Sequence, residues 1–148
     1  MDIRSRVCTV SFFGSDNFVP TGAAERRLEA LVTLLLRGEL FVEFLLGRSN
    51  AFDLFAVSVI CRCREAVSGE NSTLTWVYPT TGAELRADWG ESPAPYNGVE
   101  FYWADPDSPP EKVRKARDRY MLQRSQLSVF FSADEKDGTV SQRQRPAL

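Results

Sequence analysis

The stretch from Phe41 to Asp53 constrains the fold of this chain most, because an apolar run stops at Gly47, crosses three polar residues and restarts with helical spacing at Phe52. This pattern predicts a strand, a tight loop and the start of a helix. The first backbone N–H groups of such a helix have no partner within it, and the helix dipole favours negative charge there. The stretch therefore predicts a ligand site for phosphates or carboxylates, without naming a ligand or a reaction.

Strand and helix signals alternate along the whole chain. Thr21 is placed to cap a first helix, and Gly38 is placed to stop it. Ser108 is placed to cap a third helix in the stretch Ser108-Pro109-Pro110-Glu111, with a proline at the first helical position and Glu111 closing a capping box. The predicted strands are residues 7–13, 40–46, 73–78 (closed by Pro79), 98–103 and 127–131, and the predicted helices are residues 22–37, a segment that follows Asn50, and a segment that ends near Arg124. This order favours a parallel sheet with right-handed crossovers, in which ligands bind beyond the carboxyl ends of the strands.

A chain of 148 residues is expected to form one domain. We assign that domain to residues 1–138 and expect residues 139–148, which have little to bury, to form a mobile tail. Residues 80–97 are rich in Gly, Pro, Ser and acidic residues, so we expect an excursion over the surface with a helical turn near residues 83–88. Trp89, Tyr96 and Trp103 flank this excursion and suggest a lid or a homodimer surface.

The composition limits the classes of partner. Apolar residues make up 43% of the chain and aromatic residues 11%, as in a folded globular protein. A formal net charge of −2 gives no general field to gather DNA or RNA, which argues against nucleic acid as the partner. No apolar run approaches the roughly 18 residues of a membrane span, and no apolar signal core follows the charged N-terminus. We therefore expect a cytoplasmic protein with no membrane partner.

The cysteine and histidine counts exclude several kinds of chemistry. The chain has three cysteines, Cys8, Cys61 and Cys63, without metal-ligand spacing, and no histidine. Ser-His-Asp and Cys-His catalysis and His-ligated zinc are excluded within this chain. We expect reduced, mostly structural cysteines, no metal and no cofactor.

The loop that begins at Gly47 is the first candidate ligand site. Its backbone N–H groups could hold the phosphate or ribose of a nucleotide-like ligand, with Arg48, Ser49 and Asn50 adding polar contacts. A purely structural alternative is equally open, since Asn50 is a natural N-cap and Asp53 suits the first turn of a helix.

The loop that follows the first strand is the second candidate. Gly14, Ser15 and Asp16 leave that strand at the same edge of a parallel sheet, so the two loops should form one crevice. Ordinary turn chemistry also accounts for these residues. Asp16 would repel a phosphate, so a contact with a sugar hydroxyl is the favoured role for it. Asp16 and Asp53 are the candidates for a catalytic carboxylate.

Two further side chains are expected near the crevice. Arg117 shares a helical stripe with Tyr120 and Met121, so it should point toward the sheet and need a partner such as Asp53, Asp16 or a ligand phosphate. The other cations of the third helix are expected on a solvated face. Tyr78 could stack on a base, whereas core packing is the expected role of Trp76.

Several of these junctions resemble the SLOG superfamily of Rossmann-like domains, which is related to the "lonely guy" phosphoribohydrolases and to the DNA-processing protein DprA. The YpsA-like branch is the most similar. The segments that carry the resemblance are Cys-Thr-Val-Ser-Phe-Phe-Gly at residues 8–14, Gly47 through Phe52 and Asp53, Tyr78-Pro79, and Arg-Asp-Arg-Tyr-Met at residues 117–121 with Ser125. The resemblance and the element order together imply an α/β, three-layer Rossmann-like fold with a mostly parallel sheet of about five strands.

The resemblance also implies the binding of a nucleotide or nucleotide-derived small molecule at the ends of strands one and two, as in a sensor. The sequence departs from the branch's pattern where Ser15 and Asp16 replace a His-Arg pair, where Arg48-Ser49-Asn50 replace a glycine-rich loop, and where Asp118 replaces an asparagine. The Pro-Gly-Gly-x-Gly-Thr-x-x-Glu signature of the phosphoribohydrolases is absent. An N-glycosidase or phosphoribohydrolase, and a degenerate domain that serves as a protein-interaction module, are the alternatives.

Overall fold

The structure, a computed structural model, describes residues 6–14, 17–47, 50–80, 94–131 and 140–144. Its helices are α1 (Gly22–Arg37), α2 (Ala51–Ala66) and α3 (Pro110–Arg124). Its strands are β1 (Val7–Phe13), β2 (Phe41–Leu46), β3 (Ser72–Thr80), β4 (Gly98–Trp103), β5 (Leu127–Phe131) and β6 (Val140–Gln144).

The strands form one sheet in the order β4-β3-β2-β1-β5-β6, in which the first five are parallel. β1 is central, and its Val10 lies beside Phe44 of β2 and Leu127 of β5. Successive strands from β1 to β4 step outward on one side of β1, and β5 then pairs on the other side. The predicted α/β, Rossmann-like three-layer fold is confirmed.

The three helices cover the two faces of the sheet unequally. The buried side chains of α1 and α2, such as Leu28 and Ile60, share a large core with Phe44 of β2. On the opposite face, Met121 of α3 packs with Leu45 and Val77. Neighbouring residues of β2 thus face different layers, and this explains why β2 is apolar almost throughout.

The predicted caps of the first two helices are confirmed. The Thr21 side chain accepts a hydrogen bond from the Ala24 backbone N–H at 3.1 Å, and Gly38 ends α1. The Asn50 side chain caps α2 in the same way. Since each cap satisfies one of the N–H groups that a helix leaves unpaired, short polar residues at these positions fix both starts.

The structure corrects two predicted boundaries. Pro79 does not close β3 but lies within it, beside Tyr102 of β4. β3 pairs with β2 only as far as Trp76, so Pro79 lies where one neighbouring strand has already ended and a missing N–H costs little. Ser108 is not the N-cap of α3. Pro109 takes that position without a side-chain hydrogen bond, and Pro110 starts the helix.

The predicted C-terminal tail contains a sixth strand. β6 pairs antiparallel with β5, so that Val140 lies beside Phe131 and Gln144 beside Leu127. The sequence of β6 carries little apolar signal, and its backbone pairing with an existing strand edge was therefore not predicted. The rest of that tail and residues 81–93 of the predicted excursion, including Trp89, lie outside the described residues.

Two further features of the fold concern the thiols and the lengths of the helices. Cys8, Cys61 and Cys63 are free thiols, with Cys61 half-buried and Cys63 buried on different sides of α2. None of the helices in the described ranges combines the length and the apolar character that crossing a membrane requires.

Candidate functional site

The loops that follow β1 and β2 meet at the carboxyl edge of the sheet. Asn50 connects them, since its amide nitrogen donates to the Gly14 carbonyl at 3.3 Å while its amide oxygen accepts from the Asp53 N–H at 2.8 Å. One side chain thus caps α2 and ties the exit of β1 to it. The predicted arrangement of the two chain crossings as neighbours on one edge is confirmed.

Gly14 is needed for packing against α2. A Cβ atom at this position would lie 2.3 Å from the Cγ atom of the Phe52 ring. That ring is fully buried and also contacts the ring of Phe18, at 5.3 Å between centroids. The backbone at the end of β1 therefore packs directly against an aromatic side chain. This contact fixes where the following loop starts.

Gly47 lies where the two helical layers meet at the end of β2. A Cβ atom on Gly47 would lie 2.5 Å from the Nη1 atom of Arg117, which belongs to α3, and 2.9 Å from the Oδ2 atom of Asp53, which belongs to α2. The Arg117 guanidinium and the Asp53 carboxylate, which come from helices on opposite faces of the sheet, thus both lie close to the Gly47 backbone. A side chain at this position would force the Arg117 guanidinium or the Asp53 carboxylate to shift, so glycine allows both groups to approach the backbone this closely.

Arg117 points inward, as predicted, and only 7% of it is exposed. Within the described part of the chain, its ion-pair partner is Asp118, the next residue along α3. The Nη2 and Nε atoms of Arg117 donate to the same Asp118 oxygen, at 2.8 and 3.2 Å. None of the hydrogen bonds between described residues uses Nη1, the nitrogen nearest Gly47. Asp53 is also buried, with 2% exposed.

Aromatic side chains lie next to this charged cluster. The Tyr96 hydroxyl donates to the Gly47 carbonyl at 3.1 Å, and the Tyr96 ring lies 6.1 Å from that of Trp76. Trp76 packs against the main core, as predicted, and contacts Tyr78 edge-on at 5.0 Å. Tyr78 in turn contacts Phe101 at 6.2 Å. For Tyr96 the sequence suggested only a lid or a dimer surface. Tyr96 comes after the long excursion, and no sequence pattern indicates that the chain there lies against the end of β2.

The inward face of α3 carries a second polar cluster that the sequence analysis missed. Arg124 was assigned to a solvated face. Instead its guanidinium pairs with Glu100 of β4 at 2.7 Å and with Glu43 of β2 at 2.6 Å. The Tyr120 hydroxyl also donates to Glu100. A glutamate inside the apolar run of β2 was the available signal, because a carboxylate on a covered strand needs a cationic partner.

These contacts perturb the titration of the cluster. Burial alone would raise the pKa of the Glu100 carboxyl, but the hydrogen bonds from Arg124 and Tyr120 outweigh burial and hold that pKa below its usual 4.5. Burial and the Glu100 carboxylate raise the pKa of the Tyr120 hydroxyl, and the hydrogen bond to Glu100 raises that of the Arg124 guanidinium. The cluster is therefore charged at neutral pH and ties α3 to β2 and β4.

The predicted site residues can now be placed. Among those that the structure describes, Gly14, Asn50, Gly47, Asp53 and Arg117 come together at the carboxyl edge, and Tyr78 joins them through the aromatic contacts. The remaining candidates lie outside the described residues: Ser15, Asp16, Arg48 and Ser49.

Two other features bear on where a ligand could bind. A cavity of about 280 Å³, lined in part by Cys61 and Arg64, lies at the far end of α2, away from the carboxyl ends of the strands where parallel α/β sheets bind ligands. Within the described ranges, no group of three His, Cys, Asp or Glu side chains is arranged to hold a metal ion. The carboxyl edge around Gly47 is therefore the strongest candidate site. Comparison of the chain with protein-family models and with curated proteins finds no match.

Proposed function

We propose that this protein binds a nucleotide or nucleotide-derived small molecule at the carboxyl edge of its sheet, between the loops that follow β1 and β2. The approach of the Arg117 guanidinium and the Asp53 carboxylate to the bare backbone of Gly47 carries the proposal. Burying two opposite charges is expensive, and the fold gains little from doing so at the rim of a sheet. Such an arrangement is typical of a preformed polar site.

The surrounding residues support the same role. Asn50 fixes the two loops relative to each other, so that ligand groups would meet a rigid edge. Tyr78 offers an aromatic face for a base. Ser15, Asp16, Arg48 and Ser49 are part of the two loops by sequence and supply further hydroxyl and charged groups. The resemblance to the SLOG superfamily points to the same ligand class and to the role of a sensor.

We restrict the proposal to binding. Cleavage of an N-glycosidic bond would need a carboxylate placed against the anomeric carbon of the sugar. Asp53, one of the two candidates, is 2% exposed and hydrogen-bonded through its backbone to the Asn50 cap, which suits a positioning role. The other candidate, Asp16, lies outside the described residues.

A pair of glycine variants tests the proposal. Gly47→Ala places a methyl group between Arg117 and Asp53, whereas Gly69→Ala, at the opposite edge of the sheet, meets no atom within 4 Å. Both would be titrated by calorimetry and thermal unfolding with the four common ribonucleosides and their 5′-mono- and diphosphates. We expect at least one probe to stabilise the wild type and Gly69→Ala, by about 2.7 kcal/mol at a hundred times its Kd, and to leave Gly47→Ala unchanged.

Two results would contradict the proposal. The first is that no probe stabilises the wild-type protein. The second is that Gly47→Ala binds as well as Gly69→Ala does. Since the added methyl group also threatens folding, circular dichroism must show that Gly47→Ala is folded. Arg117→Lys, which keeps the charge but loses the planar guanidinium, provides a second variant that should weaken binding.

A further inference from the structure

We infer that this protein has a second small-molecule site, separate from the carboxyl edge, which binds a free α-amino acid with an uncharged side chain. The site is the cavity of about 280 Å³ near the end of α2, which is lined by Cys61, Arg64, Glu65, Gly69 and Pro95. This volume lies just below the roughly 300–1,000 Å³ of pockets that hold drug-sized ligands, so it suits a smaller molecule. The inference does not depend on the proposed function, because the cavity lies away from the carboxyl ends of the strands.

Hydrogen bonds hold both sides of this cavity in place. On one side, Pro95 belongs to the segment that leads into β4. Asn97 fixes that segment to β3, since its backbone N–H donates to the Leu74 carbonyl at 2.8 Å and its side-chain oxygen accepts from the Leu74 N–H at 2.8 Å. On the other side, the last turns of α2 present Cys61 and Arg64. A small molecule would therefore meet a preformed cavity.

Arg64 is the group that would bind a carboxylate. Its Nη2 atom donates to two backbone carbonyls, those of Gly69 and Ser72, each at 3.3 Å, and none of the hydrogen bonds among the described residues uses its Nη1 atom. Within the same residues no carboxylate pairs with Arg64, whereas Arg62 of the same helix pairs with Glu25 at 2.8 Å. A guanidinium that is held by carbonyls and has no counterion can bind a carboxylate through two parallel hydrogen bonds.

Buried polar atoms beside Arg64 support a role other than folding. The Nε atom of Arg64 and the Oγ atom of Ser72 are buried, and neither has a hydrogen-bond partner in the described part of the chain. Buried polar groups are normally paired, because an unpaired one loses the hydrogen bonds that it makes with water. The stability of the fold alone therefore does not explain the position of this guanidinium.

Glu65 supplies the opposite charge. Its exposed carboxylate lines the same cavity, and none of the ion pairs between described residues includes it. The C-terminal end of α2 adds partial negative charge, because the helix dipole is negative there. Both would repel a ligand that carries only negative charge, and Arg64 would repel one that carries only positive charge. A zwitterion satisfies both side chains, with its carboxylate on Arg64 and its ammonium group on Glu65.

The rest of the lining determines which side chain the amino acid carries. Gly69 and Pro95 have no ionisable side chain, and an added Cβ atom at Gly69 would meet no atom within 4 Å. Burial raises the pKa of the Cys61 thiol, so this side chain is neutral at pH 7. A charged side chain on the ligand would find no partner among these three residues, and an uncharged one is therefore preferred.

The experiment titrates the full chain by calorimetry with each of the uncharged α-amino acids, and then with the amide and the N-acetyl derivative of the tightest binder. The amide lacks the carboxylate, and the N-acetyl derivative lacks the ammonium group. We expect each derivative to bind at least about tenfold more weakly than the free amino acid, because each loses one charge-assisted contact. Arg64→Gln and Glu65→Gln should weaken binding by a similar factor. Arg62→Gln, which removes an exposed cation from the same helix, is the matched control and should bind as the wild type does.

Several results would overturn the inference. They are the binding of no amino acid, equal binding by Arg64→Gln and Arg62→Gln, and equal binding of the N-acetyl derivative, which would indicate a site for simple carboxylates. Since Arg64 also holds two backbone carbonyls, circular dichroism must show that its variant is folded. The exposed Glu65 and the two derivatives test the inference even if that variant unfolds.

The carboxyl-edge variant separates this inference from the proposed function. Gly47→Ala should bind the amino acid as tightly as the wild type does, whatever it does to nucleotide binding. Loss of the amino acid in folded Gly47→Ala would place that ligand at the carboxyl edge and would overturn the inference. The absence of nucleotide binding, by contrast, would leave the inference intact.

Discussion

At the scale of single residues, two glycines shape the carboxyl edge through the space they leave. Neither Gly14 nor Gly47 has the left-handed backbone that favours glycine. Gly14 makes room for the Phe52 ring, and Gly47 makes room for the Arg117 and Asp53 charges. The first close approach belongs to the core and the second to the candidate site, so substitutions at the two positions should have different consequences.

Gly14→Ala is expected to destabilise the fold without removing any polar group of the site. Its methyl group would lie 2.3 Å from a ring that is fully buried and cannot swing away. Overpacking of this kind costs about 1–3 kcal/mol of unfolding free energy, which urea denaturation would measure. Gly98→Ala, where no atom lies within 4 Å, is the matched control. Equal stability of the two variants would show that Phe52 does not press on Gly14.

The sequence predicts the directions of side chains better than their partners. Helical periodicity was sufficient to turn Arg117 inward, because Tyr120 and Met121 share its stripe. It could not choose Asp118 as the partner, since neighbouring residues of a helix point in different directions unless a long side chain folds back. Arg124 was missed for a related reason. Its partners, Glu43 and Glu100, are brought to it by the order of strands in the sheet, which periodicity does not encode.

At the scale of elements, Arg124 joins α3 to two strands that are not neighbours. Glu43 belongs to β2 and Glu100 to β4, with β3 between them. The guanidinium makes two hydrogen bonds to Glu100, at 2.8 and 2.7 Å. About a quarter of each of these side chains is exposed, so removing one partner would leave a largely shielded charge without its counterion. α3 buries only Arg117 and Met121 and therefore depends on such polar contacts more than α1 and α2 do.

The stability of the fold should accordingly depend on the charge of Glu100. Its folded pKa lies below the 4.5 of the unfolded chain, so its ionised form contributes stability above pH 4.5, and this contribution is lost as the pH falls through the folded pKa. Glu100→Gln should lower the unfolding free energy by about 1–3 kcal/mol at neutral pH. The difference from the wild type should shrink below pH 4.5. Urea denaturation across this range would measure both effects.

Glu70→Gln is the control for this titration. Glu70 is an exposed carboxylate in the loop before β3, so its substitution should change stability little at any pH. If the difference in unfolding free energy between Glu100→Gln and the wild type stays constant as the pH falls, this would contradict the role assigned to the Glu100 charge.

Element boundaries were predictable where one residue decides them locally. Thr21, Gly38 and Asn50 set the ends of α1 and the start of α2 as expected, because caps act within one turn. Pro79 failed as a strand terminator, since a proline is tolerated where the neighbouring strand has ended, and that depends on the relative lengths of β2 and β3. The strand pairing in the sheet, and not the proline itself, thus decides where β3 ends.

At the scale of the whole molecule, the order of strands creates the candidate site. Strands β1 to β4 follow one another across the sheet in one direction, and β5 then pairs with β1 on its other side. The loops of the early strands and α3 are thereby brought to one edge from opposite faces, which is how Asp53 and Arg117 reach the same glycine. Open α/β sheets bind ligands beyond the carboxyl ends of their strands, near the reversal of strand order. Here that reversal lies between β1 and β5, next to the β1–β2 pair that bounds the candidate site.

The alternation of strands and helices was sufficient to predict this class of fold, and parallel strands follow from it because each crossover returns the chain to the same end of the sheet. The pairing of β6 could not be read from the sequence, since backbone hydrogen bonds at a sheet edge require no apolar pattern.

The membership of the SLOG superfamily stays a prediction. Its carrying motifs are short, and four of the site residues, Ser15, Asp16, Arg48 and Ser49, lie outside the described residues.

The sixth strand leads to a prediction about how the sheet is protected at its β5 edge. β5 lies between parallel β1 and antiparallel β6, so successive backbone N–H groups of β5 point alternately toward the two strands. In a chain that ends at Gly138, the amides of β5 that face β6 should lose protection from hydrogen exchange, while those that face β1 keep it, which would give an alternating pattern over Leu127–Phe131. The amides of β4, at the other end of the sheet, should not change. Unchanged exchange throughout β5 would mean that Val140–Gln144 does not pair with it, whereas uniform loss would mean that β6 holds β5 in the sheet.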